Sequence, residues 1–207
     1  MTQSMFDLLT PANFKESGRI YGVVMGIVTN NQDPDKLGRV RIKFPWLSDD
    51  HESWWARIAT PMAGNGRGFF YLPEVDDEVL VSFDHGDIRF PYVLGALWNG
   101  KDTPPETNSD GKNNIRVIHS RSGHLIRLDD RDGDEKIEII DKTGNNSLTI
   151  KSSDNSFAIT CNGKLTLHAA QGIEMNSDAG IKMQANINID AQASAQVNVK
   201  GSLININ

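Results

Sequence analysis

The last third of the chain, residues 146–207, carries short apolar-polar-apolar triplets that recur about every eight residues. The apolar members of these triplets are Leu148/Ile150, Phe157/Ile159, Leu165/Leu167, Ile173/Met175, Ile181/Met183, Ile187/Ile189, Val197/Val199 and Ile204/Ile206. Gly, Asn, Ser, Asp, Ala and Gln stand between the triplets, and these residues accept tight turns or narrow corners. A period this short favours a β-helix over helical repeats.

Nearly every apolar strand position from Phe157 to Val199 has an odd residue number, and this regularity predicts a buried face. Side chains alternate along a strand and eight is an even number, so an eight-residue repeat keeps one face apolar throughout. The predicted core of this face consists of Phe157, Ile159, Cys161, Leu165, Leu167, Ile173, Met175, Ile181, Met183, Ile187, Ile189, Val197 and Val199. A β-helix of one chain needs about 20 or more residues per coil, and one narrow strand layer is not stable alone. The pattern therefore favours several copies sharing one core, and a homotrimer is the simplest closed arrangement.

Composition excludes several function classes. The formal net charge is −6, and residues 18–100 contain eight Lys/Arg against eleven Asp/Glu, the wrong sign for a nucleic-acid surface. Cys161 lies on the predicted inner face, where we expect a small buried hydrophobe and not a nucleophile. No apolar run is long enough for a transmembrane helix, and the first residues do not resemble a signal peptide. We therefore expect assembly in the cytoplasm and no export by the general secretory route.

The order of patterns predicts an all-β chain with four parts. Residues 1–17 form a short amphipathic N-terminal arm. Residues 18–100 contain five or six predicted strands separated by Gly, Pro and Asp turns, and a small closed or nearly closed barrel would remove their exposed edges. Residues 101–114 form a Pro/Asn/Asp linker, and residues 115–207 form the predicted trimeric β-helix. The predicted barrel strands lie in RIYGVVMGIVTN, LGRVRIKFPWL, WWARIAT, GFFYLP, DEVLVSFDHGD and RFPYVLGALWNG.

Several long motifs in this order resemble one family. GVVMGIVTNNQDPDKLGRVRIKFPWL (22–47), WWARIATPMAGNGRGFFYLPEVDDEVLVSFDHGD (54–87) and FPYVLGALWNG (90–100) resemble the oligonucleotide/oligosaccharide-binding (OB) barrel of the central spike proteins of contractile injection systems. RSGHLIRLDDRDGDEKIEIIDKTGNNSLTIKSS (121–153) resembles the start of that family's trimeric β-helix. The family includes phage baseplate assembly protein V and the valine-glycine repeat spike of type VI secretion.

This resemblance implies a non-enzymatic homotrimeric spike in the baseplate of a phage tail or injection particle, which pierces a target envelope and contacts its membrane only transiently. Type VI spikes carry a large hub region before the barrel, so the resemblance implies that the hub is a separate chain. The linker is too short for the lysozyme domain of some tail spikes, and the sequence lacks the His-x-His metal apex of others. We therefore expect a separate cone-shaped tip or effector protein to dock at Leu203, Ile204 and Ile206.

The sequence offers no convincing catalytic, metal or cofactor site. DDRDGDE (129–135) resembles a calcium loop superficially, but the twelfth loop position is Asp141 instead of Glu, which favours a structural turn. The five histidines do not show metal-ligand spacing. Ser120, Ser122 and His124 have no nucleophile elbow around them. Six aromatic residues of the barrel are expected in its core or in a subunit interface: Trp46, Trp54, Trp55, Phe69, Phe70 and Tyr71.

Two other functions remain open from the sequence. A receptor-binding or glycan-degrading trimeric tail spike would also use a β-helix, although its enzyme form needs paired carboxylates in a groove. The acidic residues of the repeat are scattered: Asp154, Glu174, Asp178 and Asp190. An OB-type nucleic-acid binder that trimerises is the third possibility.

Overall fold

The computed structural model describes residues 18–205, and within this range the regular secondary structure is β-strand apart from a short 3₁₀ turn at Asp84–Gly86. This confirms the all-β class. The predicted N-terminal arm, residues 1–17, lies outside the described residues, as do Ile206 and Asn207. In the described part of the chain, no helix has the length and the hydropathy that crossing a bilayer requires.

The first half of the chain forms a curved six-stranded sheet with the order β3-β2-β1-β7-β8-β4. Its strands are β1 (Val24–Asn30), β2 (Arg41–Phe44), β3 (Ser48–Glu52), β4 (Arg57–Ile58), β7 (Glu78–Phe83) and β8 (Pro91–Ala96). A separate small hairpin joins β5 (Ala63–Gly64) to β6 (Arg67–Gly68). Neighbouring strands are antiparallel except for β4 and β8, which pair in parallel.

The sheet curls towards closure through a single bridge between Val40 and Ala56, whose backbone groups exchange hydrogen bonds of 3.1 and 2.8 Å. Burial alternates along the strands, most regularly in β7, because a strand places successive side chains on opposite faces. The inward residues form one apolar core: Val28, Val40, Ile42, Phe44, Ala56, Val79, Val81, Phe83 and Val93. The sequence segments predict a closed or nearly closed barrel, and the structure shows an OB-like half-barrel that this single bridge draws towards closure.

The loop between β1 and β2 is held by Asp33. Its carboxylate accepts hydrogen bonds from three backbone N–H groups and forms an ion pair of 2.7 Å with Arg39. The Arg39 guanidinium holds the pKa of the Asp33 carboxyl well below its usual range. A segment rich in Asn, Asp and Lys is therefore a rigid connection and not a loose loop.

The second sheet contains five antiparallel strands in chain order. They are β9 (Ile115–His119), β10 (Leu125–Asp129), β11 (Lys136–Ile140), β12 (Ser147–Lys151) and β13 (Ser156–Thr160). Each of the four hairpins contains a residue with positive φ, which glycine and asparagine adopt most easily: Gly123, Gly133, Gly144 and Asn155. An ion pair of 2.6 Å between Arg121 and Glu74 connects this sheet to the half-barrel.

Beyond β13 the chain continues as an extended ribbon over residues 162–205, in which no strand is assigned. The ribbon bends at residues 162–163, 170–171, 178–179, 186–187, 194–195 and 202. These bends follow one another at intervals of eight residues, the same period as the sequence repeat. We call them the corners of the ribbon.

Candidate functional site

One face of the five-stranded sheet is apolar and open to solvent. The strand register places two rows of side chains across it, and we call these rows the apolar face. The first row is Ile118, Ile126, Ile139, Leu148 and Ile159, and the second is Leu128, Ile137, Ile150 and Phe157. Both rows keep large exposed fractions in the single chain, for example 50% for Ile139 and 60% for Phe157. An apolar surface of this extent typically marks an interface.

The ribbon carries two apolar columns of the same kind. The first column is Leu165, Ile173, Ile181, Ile189 and Val197, with exposed fractions of 54–56%. In the second column, Leu167, Met175, Met183 and Val199 are 61–69% exposed. The close agreement within each column shows that every repeat has the same conformation. Phe157 and Ile159 of the apolar face have the same eight-residue phase as these two columns.

The structure divides the predicted repeat into two parts. Leu148/Ile150 and Phe157/Ile159 belong to β12 and β13 of the antiparallel sheet, so the ribbon begins only after them. The reason is local: Asn155 has a φ of 54° and allows the chain to reverse. No residue described after Asn155 has a positive φ, so the ribbon corners redirect the chain without reversing it.

Two of the predicted core residues occupy different positions from the columns. Ile187 lies at the corner 186–187 and is 95% exposed, because a bend interrupts the alternation of faces. Cys161 is exposed and lies just before the first corner. Burial of the other predicted core residues requires partner chains, so it stays a prediction.

The opposite face of the sheet carries several ion pairs among apolar residues. Arg127 pairs with Glu138 at 2.5 Å, Arg131 with Asp129 at 2.6 Å, and Lys151 with Asp134 at 3.1 Å. The Asp129 carboxylate is buried, and the hydrogen bonds that the Arg131 guanidinium donates lower its pKa. Lys151 and Lys136 lower the pKa of Asp134, while hydrogen bonds from Thr143 and Asn146 lower the pKa of Asp141 to about 2.

These carboxylates predict a loss of stability in acid. Their folded pKa values lie below the unfolded value of about 3.9, so their contribution is complete above that pH and is lost as the pH falls towards 2. We expect the thermal midpoint to be nearly constant from pH 7 to 5 and to fall between about pH 4 and 2. Asp129→Asn should weaken this dependence and lower stability at pH 7, whereas Asp132→Asn in the same turn should do neither. Equal pH profiles of the two variants would contradict this assignment.

Three of the five acidic residues of the segment DDRDGDE form ion pairs with basic residues. Asp129, Asp130 and Asp134 pair with Arg131, Arg116 and Lys151, respectively. Within residues 18–205 no group of three His, Cys, Asp or Glu side chains could hold a metal ion.

The candidate serine and histidine residues form the β9–β10 turn. Ser120 Oγ accepts a hydrogen bond from the backbone N–H of His124 at 2.9 Å, and His124 Nδ1 accepts one from Lys142 N at 3.3 Å. Ser122 Oγ lies 3.4 Å from Ser120 Oγ. The hydroxyl and the ring nitrogen are therefore engaged with the backbone of neighbouring turns.

The barrel aromatics are expected in the core or in a subunit interface, and five of the six lie outside the core. Trp46, Trp54, Phe69, Phe70 and Tyr71 are 48–77% exposed, and only Trp55 is half-buried, below Arg39 and Arg41. GFFYLP also was expected to form a strand, but β6 ends at Gly68 and the aromatic residues follow it outside any strand. The core of the half-barrel is instead formed by aliphatic and phenylalanine side chains of the other strands and their flanking residues. Of the two alternatives drawn from the sequence, the subunit interface remains.

The last described repeat breaks the column pattern. Asn205 occupies the repeat position at which the first column carries Leu, Ile or Val. Ile204 occupies a repeat position that is polar or Gly in every earlier repeat of the ribbon. Leu203 is 78% and Ile204 is 47% exposed, while Ile206 lies outside the described residues. The apolar surface therefore moves from one face of the ribbon to the other at this point.

Comparison with known proteins agrees with the half-barrel geometry. Residues 24–98 match the family profile of the type VI secretion system/phage-baseplate injector OB domain. Over 112 residues the chain is 36% identical to the type VI secretion system spike protein VgrG4b of Pseudomonas aeruginosa, covering 50% of this chain and 14% of that protein. It is 32% identical over 111 residues to the actin cross-linking toxin VgrG1 of Vibrio cholerae, covering 50% of this chain and 10% of that protein. With VgrG1a of Pseudomonas aeruginosa it shares 30% identity over 116 residues, 51% of this chain and 18% of that spike protein.

The half-barrel is thus an injector OB domain of the kind found in secretion systems and phage baseplates. The resemblance to the spike proteins of contractile injection systems that was drawn from its motifs is confirmed. The matched segments span only 10–18% of the relatives' own lengths.

Proposed function

We propose that the chain is a homotrimeric baseplate spike whose ribbons wrap around one axis into a rigid β-helix. The observation that carries this proposal is the ribbon itself, residues 162–205, which bends at every eighth residue and keeps its apolar columns exposed. Its backbone groups need strand partners and its apolar columns need a cover, and two further copies supply both at once. The apolar face of the five-stranded sheet lies on the same axis and extends the shared core.

The action of such a spike is mechanical. Three intertwined ribbons leave little backbone that can open locally, so contraction of a sheath is transmitted to the tip and drives the spike through a target envelope. The ribbon and the end of the sheet, residues 146–207, contain four Lys and four Asp/Glu, which gives a neutral and hydrated outer surface. We propose no chemical reaction, since positioning and stiffness are sufficient for this role.

Two partners follow from exposed apolar surfaces at opposite ends of the molecule. We propose that a hub protein contacts the half-barrel through Phe69, Phe70 and Tyr71, which are exposed and of which Phe69 and Tyr71 stack on each other. A separate tip or effector protein docks at Leu203, Ile204 and Ile206, of which Leu203 and Ile204 are exposed in the single chain. Binding of a tip protein that survives replacement of Leu203 and Ile204 by serine would contradict this docking site.

The solution mass of the full chain tests the proposed assembly. We expect light scattering to give three times the mass of one chain, in a species that resists SDS without boiling. Removal of residues 162–207 should abolish the SDS resistance, because the intertwined part is lost while the half-barrel remains. A full chain that is a monomer would overturn the proposal.

A further inference from the structure

The residue that stands between the two column positions of each repeat lies on the outer side of the ribbon, opposite the apolar columns; in the fourth repeat this residue stands between Ile189 and Ala191. These middle residues are Thr166, Glu174, Lys182, Asp190 and Asn198, and we call them the outer column. Three consecutive members alternate in charge, negative, positive and negative. The remaining charged residues of the ribbon, Lys164, Asp178 and Lys200, lie at other phases of the repeat.

A single chain does not use these alternating charges as ion pairs. Glu174 accepts a hydrogen bond of 2.9 Å from the Asn176 amide, and Asp190 accepts one of 2.6 Å from the Asn188 amide. Each asparagine is two residues away on the same face, so it positions the carboxylate without neutralising it. In the described part of the chain Lys182 has no ion pair. The charges are therefore arranged for partners that the single chain does not supply.

The geometry points to a second copy as that partner, and this inference rests on the proposed trimer. In a three-sided β-helix each copy passes from one side to the next at every corner. A triplet of one copy therefore lies beside the triplet of another copy that is one repeat further along the chain. We propose that Glu174, Lys182 and Asp190 form an interchain charge ladder that fixes this offset at eight residues. Each Lys182 then lies between Glu174 of one neighbouring copy and Asp190 of the other.

The ladder supplies information that the apolar columns lack. The first column presents Leu, Ile or Val in every repeat with nearly the same exposure, so this column fits equally well at any offset that is a multiple of eight. The charges remove this ambiguity, because adjacent strands lie about 4.8 Å apart and facing charges attract or repel across them. An offset of sixteen residues would place Glu174 beside Asp190. An offset of zero would place each charge beside the same residue of a neighbouring copy. Both wrong arrangements are thus penalised by repulsion.

Disulfide trapping tests the offset directly. In a Cys161→Ser background, Glu174→Cys is combined with Lys182→Cys, and the matched control combines Glu174→Cys with Asp190→Cys. Adjacent strands bring the first pair within the Cα separation of a disulfide, about 4.4–6.8 Å, while the control pair is two strands apart. Mild oxidation should link most of the first variant into a covalent trimer that survives boiling in SDS without reductant. Equal linking of both variants, or of the control alone, would overturn the offset.

Charge reversal tests whether the charges stabilise this offset. We expect Lys182→Glu to raise the rate of trimer dissociation in guanidinium chloride about tenfold or more, because attractive pairs on both sides become repulsive. Adding Glu174→Lys and Asp190→Lys should restore the slow rate. Lys164→Glu is the matched control, since residue 172 in the neighbouring repeat is Gly and the charge has no partner in its column. Equal rates for Lys182→Glu and Lys164→Glu would overturn the ladder.

The two proposals fail in different ways. A monomeric wild-type chain would refute the trimer before any variant is made. An SDS-resistant wild-type trimer that ignores charge reversal at residue 182 would leave the spike intact and refute only the ladder.

Discussion

Replacement of Ile181 by aspartate is expected to prevent assembly of the trimer. Ile181 occupies the middle of the first apolar column, so the substitution brings three carboxylates together around one apolar axis. Burial of a charge without a partner costs several kcal/mol for each ion, and the like charges also repel one another. Light scattering should report a monomer or an aggregate, and no SDS-resistant species should remain.

Ile187→Asp is the matched control for this experiment. The same substitution is made six positions further along the ribbon, at a corner where the side chain is 95% exposed. We expect this variant to assemble with the wild-type mass. If Ile187→Asp were disruptive and Ile181→Asp were tolerated, the phase of the apolar columns would be wrong, and with it the wrapping that we propose.

Replacement of Ile42 by alanine is expected to destabilise the half-barrel while leaving the trimeric ribbon assembled. Ile42 is fully buried, and its Cγ2 lies only 2.4 Å from the point that a Cβ on Gly26 would occupy. Deletion of a buried isoleucine side chain to alanine costs about 2–5 kcal/mol. The first thermal transition should therefore fall by roughly 10–30 °C in a domain of this size.

The change is measured by calorimetry of the full chain, together with the SDS resistance of the trimer. Leu94→Ala is the control, since Leu94 lies on β8 of the same sheet but is 45% exposed. Its midpoint should move by only a few degrees. A similar loss in both variants would mean that the half-barrel is not stabilised by the core described above.

The half-barrel could be predicted from the sequence because its strands alternate cleanly. Val79, Val81 and Phe83 follow the period of two, and Asp and Gly mark the neighbouring turns. The exposed position of Phe69 and Phe70 could not be predicted in this way. Their aromatic character resembles that of a core strand, and only the structure shows that the core is formed by side chains of the other strands and their flanking residues.

The boundary between the antiparallel sheet and the ribbon could not be predicted from the sequence either. Leu148/Ile150 in β12 and Leu165/Leu167 in the ribbon have the same apolar-polar-apolar pattern, so the triplets do not distinguish a hairpin strand from a wrapped one. The difference lies in the connections. Asn155 reverses the chain with a positive φ, whereas Gly163 at the first corner does not adopt one. Glycine permits both conformations, and composition alone does not decide between them.

The alternating charges of the outer column are present in the sequence, but they are recognised as one column only when the corners of the ribbon are known. In the sequence alone, Glu174 and Asp190 are two of the scattered acidic residues of the repeat, and Lys182 has no evident relation to them. The bends define which residue of one repeat corresponds to which residue of the next. Only then do the three charges become members of one column with alternating sign.

The regular corners have a consequence for how the length of such a molecule can vary. Because each block of eight residues repeats the conformation of the previous one, a block can be duplicated or removed without disturbing those that remain. An insertion of four residues would instead displace the corners by half a block and lose the stacking of the columns. The length of the proposed trimeric β-helix would therefore change in fixed steps, by about one strand spacing for each block of eight residues.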